Sequence, residues 1–218
     1  MFLHRHPYAP YIPANATKLI VGTLPPPRFS VNELKEDDVN FSYGSRDGYL
    51  WSILDRIFSL NLTYKNTEEA VTQRKLFLAS YGIGICDIVA SAERETIDAS
   101  DLGMKNIKCR DMFAYLHENP SVATLLFMGG NSKNGPEYLF RKQLKSKGLM
   151  FEVISSEVPR VHQFTFEGRA IKTVSLTAPS GAANRAVGAL ADYKNLKKKH
   201  PNLNTIDFRV LQYINYFV

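Results

Sequence analysis

Cysteine is scarce: the 218 residues hold two, Cys86 and Cys109. That excludes a disulfide framework, and the absence of any CxxC pair removes zinc-ribbon and iron–sulfur ligand sets. Cys86 stands inside the apolar run "IGICDIV" and reads as a small core residue. The five histidines, His4, His6, His117, His162 and His200, form no metal-ligand spacing such as HxxxH. His4 and His6, beside the chain start, read as surface residues, so neither a metal nor another cofactor is expected. No apolar run is long enough to cross a bilayer, and the polar start "MFLHRHPYAP" lacks the apolar region of a secretory leader. The expectation is a reducing, cytoplasmic setting with no membrane partner. GxGxxG is missing, and "GGNSKNG" lacks the Gly-Lys-Ser/Thr ending of a Walker A loop. Linkers, repeats and low-complexity segments are also missing, so residues 1–218 read as one domain, expected as a monomer.

What is present is an ordinary globular balance, 44% hydrophobic and 22% charged, with a net charge of +6. A basic excess raises the case for a polyanionic partner. Two dense runs carry it, "RKQLKSK" (141–147) and "KNLKKK" (194–199). Each is open to two readings: a solvated helix end whose cations complement the dipole, or a phosphate contact.

Strand and helix signals alternate along the chain. "KLIVGT" is a short buried strand closed by a glycine turn. Leu50, Ile53, Leu54, Ile57 and Phe58 then fall on one face at helical spacing. Asn66 or Thr67 opens a further helix that Gly82 closes. "IGICDIV" is a second buried strand, followed by the polar loop "ASAERETIDASDLGMKN". A helix over about 109–117 precedes a third strand, "VATLLFMGG". Pro136 starts the next helix and Gly148 stops it. "LMFEVIS" is a strand, and "HQFTFEGRAIKTVSLT" two strands turning at Glu167-Gly168. A helix from Gly181 to about Lys199 and a short one capped by Thr205 or Asp207 finish the chain. Near-continuous apolar strands alternating with helices indicate a mostly parallel sheet covered on both faces. Ligands of such sheets bind at the carboxyl ends of the strands. The loops after Gly22, Val89, Gly129 and Leu176 are therefore the ones to watch. The first gathers Phe41, Tyr43 and Tyr49 beside Arg46 and Asp47, which suits a flat heteroaromatic ligand.

"VGTLPPPR", "FSYGSRDGYLWSILDRIF", "YGIGICDIVASAERETIDASD", "LLFMGGNS" and "SLTAPSGAANRA" occur in the order and spacing of the uracil-DNA glycosylase superfamily. Within it the chain looks most like the mismatch-specific and hypoxanthine-DNA glycosylase branches, over nearly its whole length. The resemblance implies an α/β fold, a three-layer αβα sandwich around a central, mostly parallel four-stranded sheet. It also implies cleavage of the N-glycosidic bond of a deaminated or damaged base such as uracil or hypoxanthine. DNA is the implied partner, and no cofactor is implied.

Carried over residue by residue, Gly22, Thr23, Leu24 and Pro25 would cradle the base. Phe41 or Tyr43, Tyr43 by preference, would stack on it, with Ser45 nearby. Arg46, Thr177, Pro179, Ser180, Gly181, Asn184 and Arg185 would meet the DNA, the late turn pressing into the minor groove. Gly48 stands where related branches carry an asparagine. Asp47 beside it and Asp87 at the end of the second strand are the two candidates to position the water. Two other readings share the fold: a catalytically silent nucleic-acid binder, and a protein that binds nucleosides or nucleotides.

Overall fold

A computed structural model describes all 218 residues. In chain order its elements are β1 (Phe2–Arg5), β2 (Lys18–Val21), α1 (Pro27–Ser30), α2 (Leu50–Phe58), α3 (Glu68–Ser80), β3 (Ile83–Ile85), β4 (Val89–Arg94), β5 (Lys105–Cys109), α4 (Met112–Glu118), β6 (Thr124–Phe127), α5 (Pro136–Ser146), β7 (Glu152–Ser155), β8 (Arg160–Phe166), β9 (Arg169–Ser175), α6 (Asn184–Ala189), α7 (Ala191–Lys199) and α8 (Thr205–Phe217).

The main sheet has six strands in the order β3-β2-β6-β9-β8-β7. Four of them, β3, β2, β6 and β9, are parallel to one another; at one edge β8 pairs antiparallel with β9, and β7 antiparallel with β8. The expected four-stranded sheet is thus the parallel part of a larger mixed one. The extra pair arises because β8 and β9 meet at a tight turn, where Glu167 and Gly168 both adopt positive φ (50° and 73°). A two-residue turn of that kind joins antiparallel strands only.

Alternation along the strands divides the core in two. Leu19 and Val21 of β2, with Leu125 and Phe127 of β6, pack against α4, α5 and β4. Ile20 and Leu126, pointing the other way, pack against α2, α3 and α8. The sheet is therefore covered on both faces.

Four expectations need correction. The segment after Val89 is no polar loop: β4 and β5 pair antiparallel, and β1 adds to β4 in a separate sheet ordered β1-β4-β5. His4 is consequently a buried residue, 1% exposed, whose Nδ1 accepts from Arg94 Nε at 2.9 Å. The helix expected from Gly181 to Lys199 is broken at Leu190, whose ψ of 137° is extended, into α6 and α7. Asn204, rather than Thr205 or Asp207, caps α8, in a capping box closed by Asp207.

Candidate active site

Because β2, β3, β6 and β9 are parallel, their carboxyl ends lie on one side, and the chain leaving them encloses a cavity of about 380 Å3. Gly22 to Pro26 form one wall, Tyr43 to Ser45 with Asp47 and Gly48 another, and Ala178 to Ala182 a third. Asp87 lies at its base, and Ala99 and Asp101 approach from the β4–β5 connection.

Asp87 is 5% exposed and accepts three hydrogen bonds. Oδ1 takes the Gly22 amide at 2.9 Å and the Tyr43 hydroxyl at 3.1 Å. Oδ2 lies 2.8 Å from His6 Nε2. His6 Nδ1 accepts the Tyr8 amide at 3.1 Å, so the ring hydrogen sits on Nε2 and is donated to Asp87. β1 carries His6 there: its amide continues the β1–β4 ladder to Ala90 O. His6 is thus no free surface residue. Tyr43 holds a positive φ of 58°, rare for an aromatic, which aims its ring inward. Burial, then the Asp87 charge, push its hydroxyl pKa well above the usual range.

Asp101 is a third carboxyl that sequence reasoning did not single out. Its Oδ1 accepts from Thr23 Oγ1 at 2.7 Å. Burial pushes its pKa up to about 6, with the Thr23 bond and Arg94 pulling down and Asp87 adding to the rise. The segment is pinned from outside: Asn134 Nδ2 donates to Asp101 O and Met104 O, and Arg94 donates to Ser100 O.

Asp47, by contrast, sits at the rim with its side chain 65% exposed, 3.3 Å from Arg28. Arg28 organises this loop, donating twice to the buried Asp38 and once to Ser45 Oγ. Burial opposes the Asp38 charge, yet the Arg28 bond and the Arg46 and Lys35 amides outweigh it and hold its carboxyl below the usual range. Arg46 itself is exposed, its guanidinium donating to Glu36 O.

The structure turns Phe41 away from the cavity. It lies in the core, its ring centroid 6.1 Å from that of Trp51, whose Nε1 donates to Ser42 O. Of the late turn, Pro179, Ser180 and Gly181 line the cavity, while contacts of its members hold the turn in place. Thr177 Oγ1 donates to Gln212 Oε1, the buried Pro179 accepts the Tyr49 amide, and Asn184 Oδ1 accepts from Arg209 and Thr205. Arg209, fully buried, also donates to Ala178 O and Ser180 O. Arg185 is exposed. The run 141–147 ends α5, whose first residue, Pro136, packs beside Gly129, and none of its residues lines the cavity.

A second cavity of about 290 Å3 adjoins, sharing Asp101, Met128 and Ala178. Its Arg160 donates to Glu137 Oε2 at 2.6 Å; Ser175 and Arg141 complete that carboxylate's partners. No group of three or more His, Cys, Asp or Glu side chains gathers where it could hold a metal ion, and no helix is long and apolar enough to cross a membrane.

The chain shares its architecture with the solution NMR structure of a "putative Uracil DNA glycosylase" from Methanosarcina acetivorans. The TM-score is 0.54 at 16% identity, covering 95% of this chain and 99% of that one. The fold is accordingly uracil-DNA-glycosylase-like; at that identity the chemistry rests on this chain's own residues. The sequence matches no protein-family model and no curated protein.

Proposed function

We propose that the protein is a DNA glycosylase that hydrolyses the N-glycosidic bond of an altered base. The observation that carries this reading is the convergence of the buried Asp87 with the half-buried Asp101 and Tyr43 in one cavity at the carboxyl ends of the parallel strands. A flipped-out base fits such a cavity, and unstacking is cheapest for a damaged or mismatched base. Bond cleavage builds positive charge on the sugar. Asp87, fixed by three donors, is placed to stabilise it without reorganisation. Asp101 keeps one oxygen uncommitted, and a carboxyl titrating near 6 suits a general base that takes the proton of the attacking water. Of the two sequence candidates, Asp87 is the better held, and Asp47 belongs to the rim, while the exposed Arg46 and Arg185 would meet DNA phosphates. Gly22 to Pro25 and Tyr43 contact the base, and Ser180 and Gly181 approach the strand.

The test is single-turnover excision from labelled oligonucleotides carrying deaminated and alkylated bases, in duplexes and single strands. Abasic-site formation above the enzyme-free rate with any one base is the expected result, reduced about 100-fold or more in Asp101→Asn. Salt-sensitive DNA binding with no base released would instead support a silent binder.

A further inference from the structure

The side chains around the cavity are poorly suited to a leaving group that departs as an anion. Asp47, Asp87 and Asp101 line it, and no lysine, arginine or histidine does. Arg28 offsets Asp47 at the rim, but the two inner carboxyls have no lysine or arginine as a direct partner. Asp87 meets an amide, a phenol and the Nε2–H of His6; Asp101 meets the Thr23 hydroxyl. Those bonds also use the hydroxyl hydrogens of Tyr43 and Thr23 that could otherwise have served a base oxygen. Arg160 in the adjoining cavity is taken by Glu137, and Arg94 by Ser100 O with Asp98 3.6 Å away. An entering base therefore meets two carboxyl acceptors at the inner end, the hydroxyl donors left in the lining being those of Ser45 and Ser180. Uracil or hypoxanthine would develop negative charge beside two carboxyls in a medium that screens poorly. A base that already carries a positive charge meets the opposite situation: it is attracted on entry and departs neutral.

Resting on the glycosylase reading, we propose that the cavity takes a cationic base, a purine alkylated at N3 or N7. When the bond from N9 to the sugar C1′ breaks, its electron pair goes to N9 and cancels the ring's positive charge. The positive charge passes to the sugar, between the same two carboxyls. One water then bonds through oxygen to C1′ and gives its proton to Asp101. The neutral alkylated purine and an abasic site are the products, and no other reactant is needed.

The test compares duplexes of one sequence carrying 7-methylguanine, 3-methyladenine, uracil or hypoxanthine, each against its enzyme-free rate. The expected result is release of the methylated purines at least about tenfold faster than uracil or hypoxanthine, on the scale of one order of magnitude per modest electrostatic change. Asp101→Asn, checked for folding by circular dichroism, is expected to lower all rates and to shift the ratio about tenfold toward uracil. A wild-type preference for uracil or hypoxanthine, or a ratio that Asp101→Asn leaves unchanged, would overturn the proposal while the glycosylase reading stands. No release of any base overturns both. If Asp101→Asn does not fold, the wild-type ratio alone decides.

Discussion

Gly22 is the position where the site's geometry can be tested without any substrate. A methyl group there would overlap the Tyr43 hydroxyl and come within 2.7 Å of Asp87 Oδ1 and 2.9 Å of Tyr43 Cζ. Gly22→Ala must therefore expel the Tyr43 ring. The lost hydrogen bond to a carboxylate is worth about 1.5–3 kcal/mol, and the overpacking costs about 1–3 kcal/mol more. A loss near 4 kcal/mol follows, or roughly 10 °C in Tm for a chain of this length. Tyr43→Phe alone removes the hydrogen bond without a clash, leaving Asp87 its other two donors. In the double variant the bond is lost once and the worst overlap vanishes, while the Asp87 and Cζ contacts stay tight. The double variant is thus expected to fall short of the sum by about 1.5 kcal/mol or more. Urea titrations with constant m measure all four proteins. Additivity within about 0.5 kcal/mol would refute the placement of Tyr43 over Gly22.

Three further outcomes follow. Burial opposes the charge on Glu137, but bonds from Ser175, Arg160 and Arg141 outweigh it and hold its carboxyl below the usual range. Glu137→Gln leaves two guanidinium groups short of their anion, so urea titration is expected to show a loss of about 3–5 kcal/mol; under 1 kcal/mol would contradict the buried cluster. Arg74, fully buried, donates to Thr63 O and Ala70 O and lies 5.2 Å from the ring centroids of both Trp51 and Tyr64. Burial lowers its pKa to about 10, still charged at neutral pH, so Arg74→Met is expected to cost about 2–4 kcal/mol in the same assay. The Asp101 proton stays on the folded chain to about pH 6, whereas the unfolded chain releases it near 4. The stability it contributes is present below pH 4 and lost as pH rises through 6, by about 3 kcal/mol relative to Asp101→Asn. Excision should move the opposite way, climbing through pH 6 as the base form appears; a wild-type-minus-variant stability difference that stays flat with pH would sink the assignment.

The parts of the fold legible in the sequence are those where polarity marks exposure. β2, β3 and β6 are apolar on both faces because both faces are covered, and the glycines or turns that end them stand at the chain's reversals. α2 shows its buried stripe because its outer side is polar; Trp51, Ile53 and Leu54 all reach the core. What stayed hidden is the small sheet. Its inner face buries His4 against Arg94, two polar residues joined by a hydrogen bond, so β1 and β4 carry no apolar alternation to read. The β8–β7 hairpin was visible as strands, but their order in the sheet depends on pairings that no local pattern specifies.

The same cause hid half of the site. Gly22, Tyr43, Asp87 and the Ser180-Gly181 turn follow strands or open helices that local patterns reveal, so their convergence follows once the strands are parallel. His6 and Asp101 reach the cavity only through the hidden sheet, across 81 and 78 residues of chain to Asp87 and Thr23. A polar stretch such as "ERETIDASD" reads as solvated loop because charged residues are rarely buried unless paired. Here each is paired by groups just as polar: Arg94 with His4 and Ser100 O, Asp101 with Thr23, and the Asp101 carbonyl with Asn134. Once that sheet is in place, Phe41 is no longer needed to explain the aromatic loop, since its packing on Trp51 anchors the loop that delivers Tyr43. The long segment after the first buried strand thus serves the cavity from behind: Arg28 and Asp38 lock it, Phe41 and Trp51 bury it, and the Tyr43 side chain is left facing Asp87.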